Sequence, residues 1–279
     1  MDIFSKQSIE EQRIKLKKED YSIGRVEIKG RRHYEVKDKN GTVIGAFPSV
    51  TTILGATQNT WALDRWRKNI GEVAAHKIST DATNRGTVMH RLNELYCNLP
   101  ANLDNEIKLK QTLEAARNDT ELLKFDNRAI IIGGHLFYNL YYAGFFDRIE
   151  YGIFQEKFLW NKLERDGQDL SYAGTGDNLS HMITGENKLI DFKTSKRPKD
   201  DKQIHTYKKQ VAAYAYAIKE RYDIMPDGAE IWVSNELERT PQQFILNSND
   251  LEKYFEEFLV DRIAFNEIFE KLGNIEDVL

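Results

Sequence analysis

The chain has 279 residues, of which 41% are apolar and 30% are Asp, Glu, Lys or Arg. This balance is typical of a globular protein with a buried core and excludes a wholly disordered chain. Forty basic residues against 44 acidic residues give a net charge of −4. That charge excludes a strongly basic protein that binds duplex DNA by bulk charge. It leaves a local basic groove open, because affinity depends on where Lys and Arg lie.

The single cysteine, Cys97, cannot form an internal disulfide, a Cys-rich zinc site or an iron–sulfur cluster. A reducing compartment is therefore expected. No stretch approaches the ~20 consecutive apolar residues of a membrane helix, and the N-terminus lacks the apolar run of a secretory signal. We expect a cytoplasmic protein that makes no contact with a membrane.

The N-terminal part of the chain divides into a tail and a hairpin. Residues 1–24 are charged and weakly periodic, which predicts a tail or a helix of low stability. Residues 25–279 are predicted to form a single domain. His33 to Phe47 alternates around Asn40-Gly41, and this dipeptide between β-prone runs is the strongest short hairpin signal.

Helical periodicity dominates the next hundred residues. Leu63, Trp66, Ile70 and Val73 recur at helical spacing, and similar patterns continue further along the chain. Residues 61–145 are therefore predicted to form a helical lobe. The run Arg65-Trp66-Arg67-Lys68 places basic residues around an aromatic one, which suits either a track for a single DNA strand or a solvated helix face.

The predicted catalytic core covers about residues 150–222. It begins where the spacing of apolar residues changes from helical to strand-like. From Tyr151 to Trp160 the side chains alternate as in a strand, and Glu156 falls on the more apolar side with Phe154 and Phe158. A carboxylate there costs several kcal/mol unless it is paired or binds a cation. Glu156 is therefore either an exposed residue of an edge strand or a site residue.

The richest segment runs from Ala173 to Ser195. Ala173 to Asp177 is typical of a strand end with close backbone approach, and a turn then leads into a return strand that carries Asp191 and Lys193. Alternation places Asp191 and Lys193 on one face, with Cα atoms about 6.6 Å apart. Two exposed charges on one strand face are common and are weak evidence by themselves. The pair becomes informative because other candidate site residues accompany it in the sequence.

This arrangement suits metal-assisted phosphodiester cleavage. Oxygen ligands from Asp177 and Asp191 would hold Mg²⁺ or Mn²⁺ and lower the pKa of a bound water. Lys193 would steer or deprotonate that water and stabilise negative charge in the transition state. A helix over residues 203–222 follows and carries Gln210 and Tyr214.

The order of these motifs resembles the RecB-like branch of the PD-(D/E)XK nucleases. The matching pieces are Gly174-Thr175-Gly176-Asp177, then Asp191-Phe192-Lys193-Thr194-Ser195, then Gln210-Val211-Ala212-Ala213-Tyr214. The resemblance implies a restriction-endonuclease-like α/β fold, with a central mixed sheet flanked by helices and a helical N-terminal lobe. It also implies that Thr194, Ser195, Gln210 and Tyr214 contact the substrate.

The N-terminal half strengthens the resemblance. Pro48 to Leu54, then Trp66, then Arg85-Gly86-Thr87-Val88-Met89-His90 is similar to the mitochondrial genome maintenance exonuclease and its phage relatives. That family implies a metal-binding His90. Glu156 is predicted as a further metal ligand, and Arg85 and Thr87 are predicted to contact the substrate. From the residues alone, a surface or hydrogen-bonded histidine is the favoured interpretation of His90, and the family pattern reverses that preference. Imidazole beside carboxylates favours Mn²⁺ over Mg²⁺.

These features predict a metal-dependent DNA exonuclease that prefers single strands with a free end and acts in recombination, repair or phage replication. DNA, together with replication or recombination proteins, is the expected partner. A structure-selective endonuclease with the same site and a non-catalytic nucleic-acid-binding protein with the same fold are the alternatives. The sequence lacks the phosphate-loop, His-Glu-x-x-His and Gly-x-Ser-x-Gly patterns of other common enzyme classes.

Overall fold

A computed structural model describes residues 21–276 and confirms the predicted α/β class. The helices are α1 (Val50–Thr57), α2 (Trp61–Ile70), α3 (Glu72–Cys97), α4 (Asn105–Ala116), α5 (Asn127–Tyr142), α6 (Asp201–Tyr222) and α7 (Ser248–Glu276). The strands are β1 (Tyr21–Ile28), β2 (Arg31–Asp38), β3 (Val43–Pro48), β4 (Ile149–Asn161), β5 (Glu164–Arg165), β6 (Gln168–Asp169), β7 (Tyr172–Met182), β8 (Asn187–Ser195), β9 (Gly228–Asn235) and β10 (Gln242–Leu246).

The first three strands form a small antiparallel sheet, in which β2 and β3 are the predicted hairpin. The Asp38 carboxylate closes its turn by accepting the N–H groups of Asn40 at 2.8 Å and Thr42 at 2.9 Å. Residues 21–24, predicted as tail, belong to β1 instead. Tyr21 packs edge-on against Trp160 of β4, a contact between distant residues that local periodicity does not reveal. The rest of the predicted tail lies outside the described residues.

The Pro48-Ser49 segment has a structural role at the start of α1. The Ser49 hydroxyl caps the helix by accepting the N–H of Thr52 at 3.0 Å. The Arg32 guanidinium of β2 donates to the same hydroxyl at 3.2 Å. This motif therefore fixes the small sheet to the first helix.

The main sheet has five strands in the order β10-β9-β8-β7-β4, with β8 and β9 parallel and the other neighbours antiparallel. The parallel pair requires a crossover, which α6 provides. The predicted strand end at Ala173 to Asp177 is wrong, because β7 runs without interruption through these residues. The glycines at positions 174 and 176 leave room for side chains of α6 and β4, and this accounts for the close approach expected there.

Helices cover both faces of the main sheet. On one face, α1, α6 and α7 pack over a core that includes Leu189, Ile231 and Val233. On the other face, α3 and α5 pack over Ile190 and Phe192. Alternation along β8 explains this division, because successive side chains point to opposite faces. Burying a side chain such as Phe192 stabilises the fold by about 1.5–3 kcal/mol.

The predicted helical lobe consists of α2 to α5. Helices α3 and α5 cross closely at Gly133, where an added Cβ would lie 2.5 Å from Val88 and 2.8 Å from the Arg85 carbonyl oxygen. This contact holds α3 in place over the sheet. Within the described residues, no helix combines the length and apolar character needed to cross a membrane.

Candidate metal centre

The site lies where two central strands separate. Main-chain pairing of β7 with β8 extends as far as Asn178 opposite Ile190 and then stops. Beyond that point the N–H of Phe192 donates to the Asp177 carboxylate at 2.8 Å. The Phe192 carbonyl accepts a hydrogen bond from Nε2 of His90 at 3.0 Å. Side chains therefore take the place of the missing strand pairing, which leaves polar groups converging on a gap.

His90 presents its other ring nitrogen to two carboxylates. Nδ1 lies 3.3 Å from Oε1 of Glu156 and 3.6 Å from Oδ2 of Asp177. Because Nε2 donates to a carbonyl, it must carry a proton, so in the neutral ring Nδ1 holds the free lone pair. One donor atom from each of the three residues lies within 4.8 Å of the others.

Glu156 reaches this cluster through an irregularity in β4. Its neighbours Gln155 and Lys157 pair with Asn178 and Gly176, so Glu156 stands opposite Asp177. Its backbone has a φ of 43°, in the left-handed region that side chains rarely adopt. Such a conformation costs about 1–3 kcal/mol and is concentrated at functional sites. Regular alternation, assumed for this strand, is wrong at Glu156, and the turn in the backbone directs the residue into the site.

Asp191 and Lys193 form a second pair beside the cluster. The Lys193 ammonium lies 2.6 Å from the Asp191 carboxylate, as expected for residues on the same face of β8. The ammonium also lies 5.2 Å from the ring centroid of Tyr207 on α6. Asp191 is not one of the three clustered residues, but its charge and that of Asp177 interact, and its role as a further metal ligand stays a prediction.

Burial and neighbouring charges shift the pKa values at the site. Burial by itself would lower the pKa of His90, but Asp177 and Glu156 outweigh it and raise that pKa to about 9. Burial raises the pKa of Asp191 to about 6 against the opposing effect of Lys193. Asp191 and Asp177 raise the pKa of Lys193 despite its burial. The lysine is therefore held as an ammonium.

The donor set fits a divalent cation. Two carboxylates and a neutral imidazole offer hard oxygen atoms and one nitrogen, which suits Mg²⁺ and, because of the nitrogen, Mn²⁺ more strongly. Asp177 is only 9% exposed, so its charge requires a positive partner. A proton on His90 supplies that charge in the metal-free protein, and a bound cation would replace it.

A cleft of about 530 Å³ opens from the cluster along α3. Thr87 and Thr194, two of the predicted substrate contacts, line it together with His90, Glu156 and Lys193. The Thr87 hydroxyl donates to the carbonyl of Thr83, one turn earlier in α3, at 3.1 Å. The cleft thus connects the candidate metal centre with solvent.

The other predicted substrate contacts do not line this cleft. Arg85 faces away from it and forms an ion pair with Glu236 at 3.1 Å. Ser195 is buried, and its hydroxyl donates to the carbonyl of Arg197. Gln210 and Tyr214 are also buried, with the amide of Gln210 3.4 Å from the Tyr214 hydroxyl. The sequence did not predict this outcome, because motif spacing specifies the element but not the direction of each side chain.

Two features of the site were not assigned from the sequence. Tyr207 shares a helix face with Gln210 and Tyr214, and this spacing was the available signal for its place beside Lys193. Arg91 lines the cleft but is already bound by Asp119 at 2.8 Å. No local pattern connects residues so far apart in the chain.

Comparisons with known proteins add little to this geometry. No protein-family model and no curated protein sequence matches the chain. One similar solved structure is that of SSO0001, with 13% sequence identity and a TM-score of 0.32 over 61% of this chain and 74% of the other. At that TM-score the similarity carries no argument about fold or function.

Proposed function

We propose that the protein is a metal-dependent deoxyribonuclease of the PD-(D/E)XK type, acting as an exonuclease on single-stranded DNA with a free end. One observation carries the proposal: His90, Glu156 and Asp177 converge at a strand fork beside the Asp191–Lys193 pair, at the base of an open cleft. Residues that could bind a cation therefore lie beside residues that could interact with a phosphodiester.

His90, Glu156 and Asp177 would hold the cation, which when bound supplies positive charge to the phosphoryl group and acidifies water. The Phe192 main chain orients two of these ligands, through its N–H on Asp177 and its carbonyl on His90. Such hydrogen bonds fix the ring orientation of a ligand histidine and the position of its lone pair.

Lys193 acts in this proposal as a fixed positive charge. Its raised pKa keeps it protonated near neutral pH, which favours stabilisation of the transition-state charge over deprotonation of water. Asp191 positions the ammonium by accepting a hydrogen bond at 2.6 Å.

The proposal also covers the cellular location of the protein and the pathway in which it acts. The lone Cys97 supports a reducing, cytoplasmic location. Action in recombination, repair or phage replication, with proteins of those pathways as partners, follows from the sequence resemblance. A structure-selective endonuclease would use the same residues, and a binding protein would keep the fold without turnover.

One assay separates these functions. End-labelled single-stranded, duplex and covalently circular DNA are incubated with the protein and Mg²⁺ or Mn²⁺. Stepwise loss of linear single strands, with circles intact, supports an exonuclease. Rapid cutting of circles indicates an endonuclease, and binding of every substrate without cleavage indicates the non-catalytic protein.

Asp191→Asn tests the proposed site, because it removes a negative charge without changing the side-chain volume. We expect loss of cleavage by at least about 100-fold, comparable to removal of one electrostatic group from an active site. Asp166→Asn makes the same chemical change on the exposed β5–β6 turn and should cleave like the wild type. Wild-type turnover by Asp191→Asn would contradict the proposed site.

Lys193→Ala tests the fixed charge. This variant should also lose turnover, while Mn²⁺ binding measured by calorimetry persists because the three clustered donors remain. If Mn²⁺ binding is lost with the lysine, its assignment as a transition-state residue is wrong.

A further inference from the structure

An exposed helical arm extends from the cleft, formed by α2 together with residues 72–80 of α3. It carries apolar side chains that the core does not cover: Trp61 is 65% exposed and Val73 is 86% exposed, and Leu63 and Ile70 are exposed as well. The helical spacing of residues 61–78 is typical of an amphipathic helix, whose apolar side usually packs on a core. The structure instead turns this apolar surface outward.

Basic side chains lie among these exposed residues. The Arg65 guanidinium stands 5.3 Å from the ring centroid of Trp61, one turn earlier on α2. Arg67 and Lys68 follow, against a single acidic residue of α2, Asp64. Helix α2 therefore carries a net positive charge in a chain whose net charge is −4. Exposed aromatic rings beside cations are the combination that binds single-stranded nucleic acid.

The arm and the cleft share one helix. Ala82 lines the cleft together with His90, and Ala75 lies about two turns before Ala82 on the same side of α3. Ala75 is buried within an otherwise exposed stretch, and α2 packs against this part of α3. The arm thus adjoins the cleft, with about 22 Å of helix between Ala75 and His90 at 1.5 Å per residue.

The two ends of the cleft differ in charge. At the end away from the arm, Glu94 and Glu121 line the wall. The neighbouring Arg91 is engaged by Glu94 and by Asp119, so its charge is already balanced. Glu121 in turn is paired with Lys124 at 2.6 Å, so three carboxylates meet two cations at that end. The excess negative charge there disfavours a phosphate chain, whereas the arm attracts one. We therefore expect a strand in the cleft to extend toward the arm.

We propose that the arm is the docking surface for the single-stranded part of the DNA whose end lies in the cleft. Trp61 stacks on an unpaired base, and Arg65 and Lys68 contact phosphates. This inference rests on the proposed function for the identity of the ligand. A duplex does not fit the arm equally well, because paired bases do not expose a face to an indole ring.

Binding is measured in EDTA, so that cleavage plays no part. A fluorescein-labelled 20-nucleotide single strand is titrated with full-length protein and followed by anisotropy. Trp61→Ala should weaken binding about 10-fold, the typical loss of one stacked base. Tyr142→Ala removes a residue that is 77% exposed on α5, outside the arm, and should bind like the wild type.

The charge contribution has its own signature. Arg65→Ala/Lys68→Ala should lower the slope of log K against log salt by about 1.4, since each phosphate contact on a single strand contributes about 0.7. Trp61→Ala should leave that slope unchanged. Lys110→Ala/Arg117→Ala removes two exposed cations from the region of α4 and should leave affinity and slope at wild-type values.

The outcomes separate this inference from the proposed function. Tight binding by the wild type and loss in the arm variants support the arm, even if no DNA is cleaved with Mn²⁺. Three results overturn it: no binding of the single strand by the wild type, arm variants that bind like the controls, or equal affinity for a blunt duplex. If the strand is cleaved but the arm variants bind normally, the nuclease stands and the arm is excluded.

Discussion

The His90 imidazolium should make the stability of the metal-free protein depend on pH. Its pKa is about 9 in the folded protein, against 6.5 for an unperturbed histidine. Because the folded pKa is raised, the stabilisation is complete below pH 6.5 and is lost as pH rises through 9. Each step of one in pKa corresponds to about 1.4 kcal/mol, which gives an upper bound of about 3 kcal/mol.

This prediction is tested by urea unfolding in EDTA, followed by far-UV circular dichroism. His90→Gln should lower the free energy of unfolding by about 2–3 kcal/mol near pH 6 and by much less near pH 9.5, where both proteins lack the charge. Comparing the variant with the wild type at each pH removes contributions from other titrating groups. His76→Gln, at an exposed position of the same helix, is the matched control.

Two results would refute the reasoning. One is a difference between His90→Gln and the wild type that stays constant from pH 6 to 9.5. The other is a His76→Gln variant with the same pH dependence as His90→Gln. Excess Mn²⁺ should reduce the wild-type loss at high pH, because a cation then takes the place of the proton between the carboxylates.

Two further predictions concern the support of the sheet. Arg148 holds the carboxylate of Glu230, which is 1% exposed, through bonds of 2.8 and 2.7 Å. Arg148→Met should therefore lower the free energy of unfolding in urea by about 3–5 kcal/mol. Arg165→Met, in an exposed ion pair, should lower it by at most about 1 kcal/mol. Equal losses would contradict the buried-charge argument. Gly174→Ala would bring a Cβ within 2.6 Å of the Tyr214 hydroxyl and should cost about 1–3 kcal/mol by the same measurement. The Cε1 atom of the Tyr214 ring would lie 2.7 Å away as well, so Tyr214→Phe in that background should recover little of the loss, and full recovery would mean that the hydroxyl alone causes the clash.

Local sequence specified the elements that depend on near neighbours. The Asn40-Gly41 hairpin, the shared face of Asp191 and Lys193, and the helical periods were all readable, because turn geometry and side-chain alternation act over a few residues. The α/β class was expected from the order of the motifs, through their resemblance to a nuclease family. These predictions needed no knowledge of distant contacts.

Tertiary structure decided which of the candidate residues meet. The fork between β7 and β8 placed His90 against Phe192, and a left-handed backbone brought Glu156 opposite Asp177. Neither follows from spacing, since the residues involved come from four separate elements. Packing likewise set Arg85 against Glu236, away from the cleft.

The same reasoning applies to the surface. Apolar spacing over residues 61–78 predicts a buried helix face, but a period shows that side chains share a face and not what covers it. Trp61 and Val73 are exposed because α2 has α3 as its main packing partner and little else covers it. The sequence therefore determined that these residues share a helical surface, and the packing of the surrounding elements decided that this surface faces solvent.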